Sequence, residues 1–355
     1  MTSSNSAGDG PTGYIVLAAY SPNTELFRRQ VTSIQAQTVR SFRCIVSADG
    51  GVAEIEGLLR EIVGDDDRFF VAGHENRVGF YSNFERGLAA VPETADWVAL
   101  ADQDDYWYED KLERLLPHLK STALVSGQAR VVRYPESEII AASTQRRDGA
   151  VEAVLLDNQF TGSQLVFRRA VLDVALPFPH LRTASEVHDH WLALVAHFVG
   201  GAMVIDDVVQ DYVQHGGNVI GEAGGGFNPL SSLRTAMKLA EKYESGRSPR
   251  ALRDATFKVS VGWREVVVET LHRRLPPSKE LGRLQTLFGR RRRSIRTLAT
   301  VIDLARRSAI SRRSAIEYLV GTAAGGVGTL RRSFSRMISE SVEPASRPRA
   351  PRDLS

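Results

Sequence analysis

The regular alternation of short apolar runs with amphipathic segments between Tyr14 and Ala101 restricts the fold more than any other feature. Tyr14-Ile15-Val16-Leu17-Ala18-Ala19 is an apolar run of strand length. Glu25–Gln37 follows, with Leu26, Val31 and Ile34 near helical spacing. Phe42–Ala48 is a second run and ends at Asp49-Gly50-Gly51, a turn signal. A helix over Ala53–Val63, a strand over Arg68–Ala72, a helix over Tyr81–Val91 and a strand over Asp96–Ala101 continue the pattern. Such alternation predicts an α/β fold with a largely parallel sheet and helices on both faces. Three of the strands end in polar or turn-forming residues: Ala19-Tyr20-Ser21, Asp49-Gly50-Gly51 and Asp102-Gln103-Asp104-Asp105. Ligands of these sheets bind beyond the carboxyl ends of the strands, so the three tips are expected to share one crevice.

Beyond Ala123 the pattern turns mixed, with shorter strands, a helix over Arg168–Ala175 and another near Glu186–Phe198. The glycine-rich piece after Gly221 reads as a boundary, and the chain past Asn228 reads as mainly helical. The expected organisation is a leader at 1–13, a main domain at 14–221, a linker at 222–228, a helical basic region at 229–340 and a tail at 341–355. A length of 355 residues accommodates one large α/β domain and a smaller appended region. The single cysteine, Cys44, excludes an intrachain disulfide framework and suits a reducing, cytoplasmic setting. No segment reads as a membrane span; the nearest, Ala315–Leu330, is short and interrupted by Glu317 and several glycines. Charge is unevenly spread. Ser231–Ser355 holds 27 Lys/Arg against 11 Asp/Glu, or +16; since the whole chain is +3, residues 1–230 carry −13.

The acidic turn after the Asp96–Ala101 strand admits two readings. Taken alone, it caps the helix expected over Lys111–Leu119. In the context of the other strand tips, paired carboxylates one residue apart suit a hard divalent cation such as Mg²⁺ or Mn²⁺, which bridges protein oxygens to a diphosphate.

Val98-Ala99-Leu100-Ala101-Asp102-Gln103-Asp104-Asp105-Tyr106-Trp107, followed by Asp110-Lys111-Leu112, resembles the DXD region of family-2 glycosyltransferases of the GT-A fold, and in particular their rhamnosyltransferase-like branch. The resemblance spans about Gly13–Gly221. It implies a GT-A-type mixed, mostly parallel sheet flanked by helices, with the helical basic region as a C-terminal extension. It also implies an inverting transfer of a sugar, with rhamnose the leading candidate, from a dTDP- or UDP-linked donor to a glycan or lipid-linked acceptor. Asp102 and Asp104 match the two acids of DXD, with Gln103 between them on the nucleotide side. Asp49 matches the acid that reads the pyrimidine base, although Ala48-Asp49-Gly50-Gly51 departs from the usual two acids followed by Gly-Ser. Ala18, Ala19 and Tyr20 match the strand end bordering the base. Arg77 and Asn83 fall in the loop and helix start near the nucleotide. Arg77 there either pairs with phosphate or is a solvated turn residue.

Glu186-Val187-His188-Asp189-His190-Trp191 resembles the family's site for the catalytic base, with Asp189 at the matching position; a carboxylate in the first turn of a helix is the alternative. His188 and Trp191, with Trp107, Thr161 and Gly162, are expected near the sugar or acceptor. One of His188 and His190 is expected to line the site and the other to pack. Tyr212-Val213-Gln214-His215-Gly216-Gly217-Asn218-Val219-Ile220-Gly221 resembles the ending of the same branch, which implies His215 at the metal or diphosphate. The arginines at 290–293, 306–307, 312–313 and 331–332 read as solvated helix faces, as a contact with an anionic membrane surface, or as part of a homodimer. Nucleic acid ranks last, since no reader motif accompanies them. Two competing functions stay open. A sugar-nucleotide nucleotidyltransferase would need a glycine-rich basic loop where Tyr20-Ser21-Pro22-Asn23-Thr24 stands. A noncatalytic nucleotide- or glycan-binding domain would not need Asp49, Asp102, Asp104 and Asp189 together.

Overall fold

The computed structural model describes residues 13–215, 229–244, 246–289 and 295–325. These group into two compact units, 13–176 with 187–215, and 177–186 with 229–325.

The first unit is built on β1 (Gly13–Ala19), whose Ile15, Val16 and Leu17 have no exposed surface. A strand covered on both faces needs apolar residues at successive positions, which is why this run lacks alternation. β1 lies between β2 (Phe42–Asp49) and β4 (Trp97–Asp102), with β3 (Phe69–His74) beyond β2, and all these pairings are parallel. The connections are α1 (Thr24–Gln35), α2 (Val52–Val63) and α3 (Phe80–Ala89). The side chain of Asn23 starts α1 by accepting from the Glu25 and Leu26 amides, and the helix buries Leu26, Phe27, Val31 and Ile34. Because the chain leaves β1 for β2 on one side and returns as β4 on the other, strand order reverses at the β1/β4 boundary. A crevice opens beyond the strand tips at such a point.

The sheet then becomes mixed. β4 pairs antiparallel with β8 (Leu165–Arg168), β8 with β6 (Leu124–Arg133), and β6 pairs parallel with β9 (Ala202–Gln214). β5 (Tyr106–Trp107) closes the far edge on β9, and β7 (Glu138–Ala141) pairs with β6. Short helices α4 (Lys111–Leu115), α5 (Val151–Leu156) and α6 (Val171–Ala175) and the longer α7 (His188–Val199) complete the unit. Two expectations are corrected. The predicted helix Arg168–Ala175 begins only at Val171, because Leu165, Val166 and Phe167 form a buried strand paired on both sides. Periodicity cannot separate so short an apolar run from a helix. The expected shorter strands are found in β5, β7 and β8, of two to four residues, but β6 and β9 run to ten and thirteen.

The second unit is helical, as its composition implies: α8 (Pro229–Tyr243), α9 (Pro249–Phe257), α10 (Trp263–Arg274), α11 (Lys279–Phe288), α12 (Ile295–Arg306) and α13 (Arg312–Ala324), with one π-helical turn at Lys258–Gly262. Phe257, Trp263, Val267, Leu271, Leu284 and Phe288 are buried. The segment 177–186 joins this unit, where the Ser185 hydroxyl donates to the Val259 carbonyl at 2.8 Å. The expected leader, linker and tail, with the arginines at 290–293 and 331–332, lie outside the described residues apart from Gly13.

Two glycines test how tightly the helices close on the sheet. A Cβ at Gly87 of α3 would lie 2.5 Å from Val16 Cγ1 and 3.0 Å from Ser47 Cβ, whereas one at Gly57 of α2 would meet nothing within 4 Å. Gly87→Ala is expected to destabilise by about 1–3 kcal/mol through overpacking. Gly57→Ala is expected to stabilise by about 0.5–1 kcal/mol through lower unfolded-chain entropy. Urea unfolding midpoints moving in opposite directions would bear this out; equal midpoints would contradict it.

Candidate active site

At the β1/β4 switch point the two strand tips are tied by one side chain. The Tyr20 amide donates to Gln103 Oε1 at 2.8 Å, and Gln103 Nε2 donates back to the Tyr20 carbonyl at 3.2 Å. Ala18 stands opposite Asp102 in the β1–β4 register, and Ala19 is buried. The Tyr20 ring is 41% exposed, and the Arg77 guanidinium lies over it, 3.7 Å from its centre. A planar cation on an aromatic face forms a flat, charged plate at the mouth of the crevice.

Asp49 ends β2. It is 2% exposed, and its two oxygens accept from the Val78 and Gly79 amides at 2.7 and 2.8 Å. Asp49 therefore anchors the loop that carries Arg77. Asn83 is likewise held by protein. Its Nδ2 donates to the Ser47 carbonyl and its Oδ1 accepts from the Ser47 hydroxyl, so the buried amide clamps α3 to β2.

The acidic turn divides its carboxylates. Asp104 Oδ2 meets His215 Nε2 at 2.7 Å, both partly exposed. Asp105 is buried, and its oxygens accept from the Val213 amide and from Gln210 Nε2 at 3.1 and 2.9 Å. Burial, reinforced by the charge of Asp104, pushes its carboxyl up to about 7, against the hydrogen bonds from Ser163 and Val213. Asp102 keeps some exposed surface, but its carboxyl is enclosed by protein. It is held well above the usual carboxylate range, first by that burial and then by the charges of Asp105, Asp104 and Asp189.

Asp189 stands in the first turn of α7. Its Oδ1 accepts from Asn158 Nδ2 at 2.9 Å and from the His190 amide at 2.6 Å, and its Oδ2 accepts from the Gly162 amide at 3.0 Å. Burial pushes it up to about 6, and these bonds and the Arg146 charge oppose the rise. Gly162 is needed for closeness: a Cβ there would fall 2.3 Å from His188 Nε2. That ring is buried and stacked on Phe84 at 3.8 Å, and neither nitrogen has a hydrogen-bond partner; burial lowers its pKa to about 3, so it is neutral. His188 thus lines the loop at Gly162, beside the half-buried Thr161, while His190 packs, its Nε2 on the Val154 carbonyl at 2.9 Å. Trp107 and Trp191 have no exposed surface, and Trp191 Nε1 donates to the Ala175 carbonyl at 2.9 Å. Both pack into the core, away from the open surface where a sugar or acceptor was expected. Asn158, Gln210 and Lys111 escaped the sequence reading. Only Lys111 left a trace there, in the quoted motif beside Leu112.

Among the described residues, no three His, Cys, Asp or Glu side chains form a metal cluster, so Asp102, Asp104 and His215 are not a preassembled cage. The donor chemistry still fits a divalent cation that arrives with a diphosphate, since Mg²⁺ commonly takes one or two carboxylates and completes its shell with substrate phosphates and water. Asp104 supplies one such carboxylate and His215 an imidazole beside it, next to an Asp102 held up chiefly by burial and by its acidic neighbours, with the Lys111 charge opposing them.

The first unit, over residues 14–173, matches the family described as Glycosyl transferase family 2. Its mixed sheet between helices is the GT-A-type arrangement that the resemblance implied. No curated protein matches the chain. Among solved structures, the chain is 12% identical to S. aureus TarS 1-349 in complex with UDP-GlcNAc, covering 88% of this chain and 91% of that one at a TM-score of 0.48. It is 14% identical to the mannosyltransferase PcManGT from Pyrobaculum calidifontis in complex with GDP-Man and Mn2+, covering 89% and 87% at a TM-score of 0.44.

Proposed function

We propose that this protein is an inverting, metal-assisted glycosyltransferase that takes its sugar from a pyrimidine nucleoside diphosphate. The observation that carries the reading is the placement of Asp189, a carboxylate held by three donors and close enough to the acidic turn for its charge to act on Asp102. Tyr20 and Arg77 offer the flat charged plate for base and phosphate, reached through the loop that Asp49 holds. Asp104 and His215 would hold Mn²⁺ or Mg²⁺ together with the diphosphate. When bound, the cation supplies charge neutralisation for the leaving nucleoside diphosphate. Asp189 accepts the proton of the acceptor hydroxyl as the new glycosidic bond forms on the face opposite the departing diphosphate. Rhamnose as the sugar and a glycan or lipid-linked acceptor in cell-surface polysaccharide synthesis rest on the DQDD-x-W motif resemblance alone.

A panel of dTDP-, UDP- and GDP-sugars, scored by nucleoside diphosphate release with Mn²⁺, with Mg²⁺ and with EDTA, tests this reading. Release from a pyrimidine donor, abolished by EDTA, is expected. Release from no donor by folded protein with acceptors present, or undiminished release in EDTA, removes it. The base assignment has its own signature. Asp189 works as the carboxylate, so kcat/KM should rise with pH through about 6 and be lost as pH falls below it. Asp189→Asn should lower kcat by about 10²–10⁴-fold. A wild-type profile flat between pH 5 and 8 would contradict the assignment.

The outer faces of the last two described helices extend the reading to the acceptor. Ile295, Ala299 and Ile302 form an exposed stripe on α12 beside Arg296, Arg306 and Arg307, and Ile316, Val320 and Ala323 form one on α13 near Arg312 and Arg313. Exposed aliphatic stripes edged by arginine match an anionic lipid surface. Among the described residues no helix is long and apolar enough to cross a membrane. Co-sedimentation with phosphatidylglycerol vesicles, weaker with phosphatidylcholine and weakened by Ile295→Asp, is expected. Equal behaviour toward both lipids, or a shift to dimers without vesicle binding, would count against it.

A further inference from the structure

Lys111 opens α4, yet it has no exposed surface. A buried ammonium is costly unless its charge and its donors are met, and an apolar side chain of similar volume would fill the space at lower cost. The interior around Lys111 is arranged to meet it. Nζ donates to the Ser163 carbonyl and, at 2.6 Å, to Gln210 Oε1. It also sits 3.6 Å from the centre of the Trp107 ring, and while burial holds its pKa well below the usual lysine range, the charges of Asp105 and Asp102 oppose that fall.

Gln210 carries the contact onward. Its Nε2 donates to Asp105 Oδ2 and to Ser163 Oγ, both at 2.9 Å, and the other Asp105 oxygen accepts from the Val213 amide. Each branch ends beside a group of the site. Ser163 follows Gly162, whose amide fixes Asp189. Val213 lies on β9 two residues before His215, whose ring meets Asp104. Asp105 follows Asp104 in the acidic turn. Three segments distant in sequence therefore converge on one ammonium and one amide.

We propose that Lys111 is a positioning residue. Through Ser163 and Gln210 it sets the separation between the proton-accepting Asp189 and the donor-holding pair Asp104 and His215, without itself touching substrate. The proposal rests on the glycosyl-transfer reading above. It assigns Lys111 to catalytic geometry rather than to donor affinity, because each half-site keeps its own local contacts when the bridge is lost. A misplacement of about 1 Å between reacting groups is enough to cost about 10²-fold in rate.

The test compares wild type, Lys111→Met, Gln210→Met and the double variant, with folding checked by thermal melts. For each, kcat and donor KM are measured with the donor selected by the panel, and UDP or dTDP binding is measured in Mn²⁺. Lys111→Met is expected to bind the nucleotide within about 3-fold of wild type while kcat falls about 10²-fold. Gln210→Met should behave alike, and the double variant should lose no more than either single one, since both cut the same bridge. If Lys111→Met does not fold, the kcat and binding of Gln210→Met decide. An unchanged kcat, equal losses of kcat and nucleotide affinity, or additive losses would each overturn the proposal. Wild type that binds neither nucleotide and turns over no donor would instead sink the glycosyl-transfer reading, and this inference with it.

Discussion

Mutual repulsion among four carboxylates at the mouth of the sheet is the constraint around which the first unit is arranged. Asp102, Asp104 and Asp105 leave β4 within four residues, and Asp189 faces them from the start of α7. Three of the four are relieved locally. Asp105 turns inward onto the Val213 amide, Gln210 and the field of Lys111; Asp104 takes the His215 ring; Asp189 takes two amides, an asparagine and the nearby Arg146 charge. Asp102 is held well above its ordinary range first by burial and then by the charges of the other three, with Lys111 opposing. The crowding of carboxyls is thus greatest at one tip, beside the exposed Tyr20 and Arg77 plate.

The front of this architecture was legible because burial on both faces leaves β1, β2 and β4 as plain apolar runs, each ended by turn chemistry. The back was not. Gln128, Gln210 and Asp211 interrupt β6 and β9 with polar side chains that the fold buries, and their partners lie far off in sequence. No local window contains the Ile205 carbonyl that satisfies Gln128, or the Asp105 carboxylate that satisfies Gln210.

Within the site, residue types were readable while side-chain directions were not. Asp49, Asn83, Trp107 and Trp191 stand at positions where the motif pattern draws attention, yet all four point into protein. Asp49 acts on the loop through backbone amides, Asn83 on β2, and the tryptophans on the core. The buried His188 could be sorted from His190 only once Gly162 was seen to lack room for a side chain. Lys111 shows the limit from the other side: it stands in the quoted motif beside Leu112, but nothing in the sequence showed that it is buried or what it joins.

The two-way clamp of Gln103 on the Tyr20 backbone also bears on how the crevice is framed. Each amide atom of Gln103 bonds the neighbouring strand tip, so the residue between the two acids is turned toward β1. The ends of β1 and β4 are in effect riveted into one lip. The acidic turn and the Tyr20 plate are thereby held at a set spacing across the switch point.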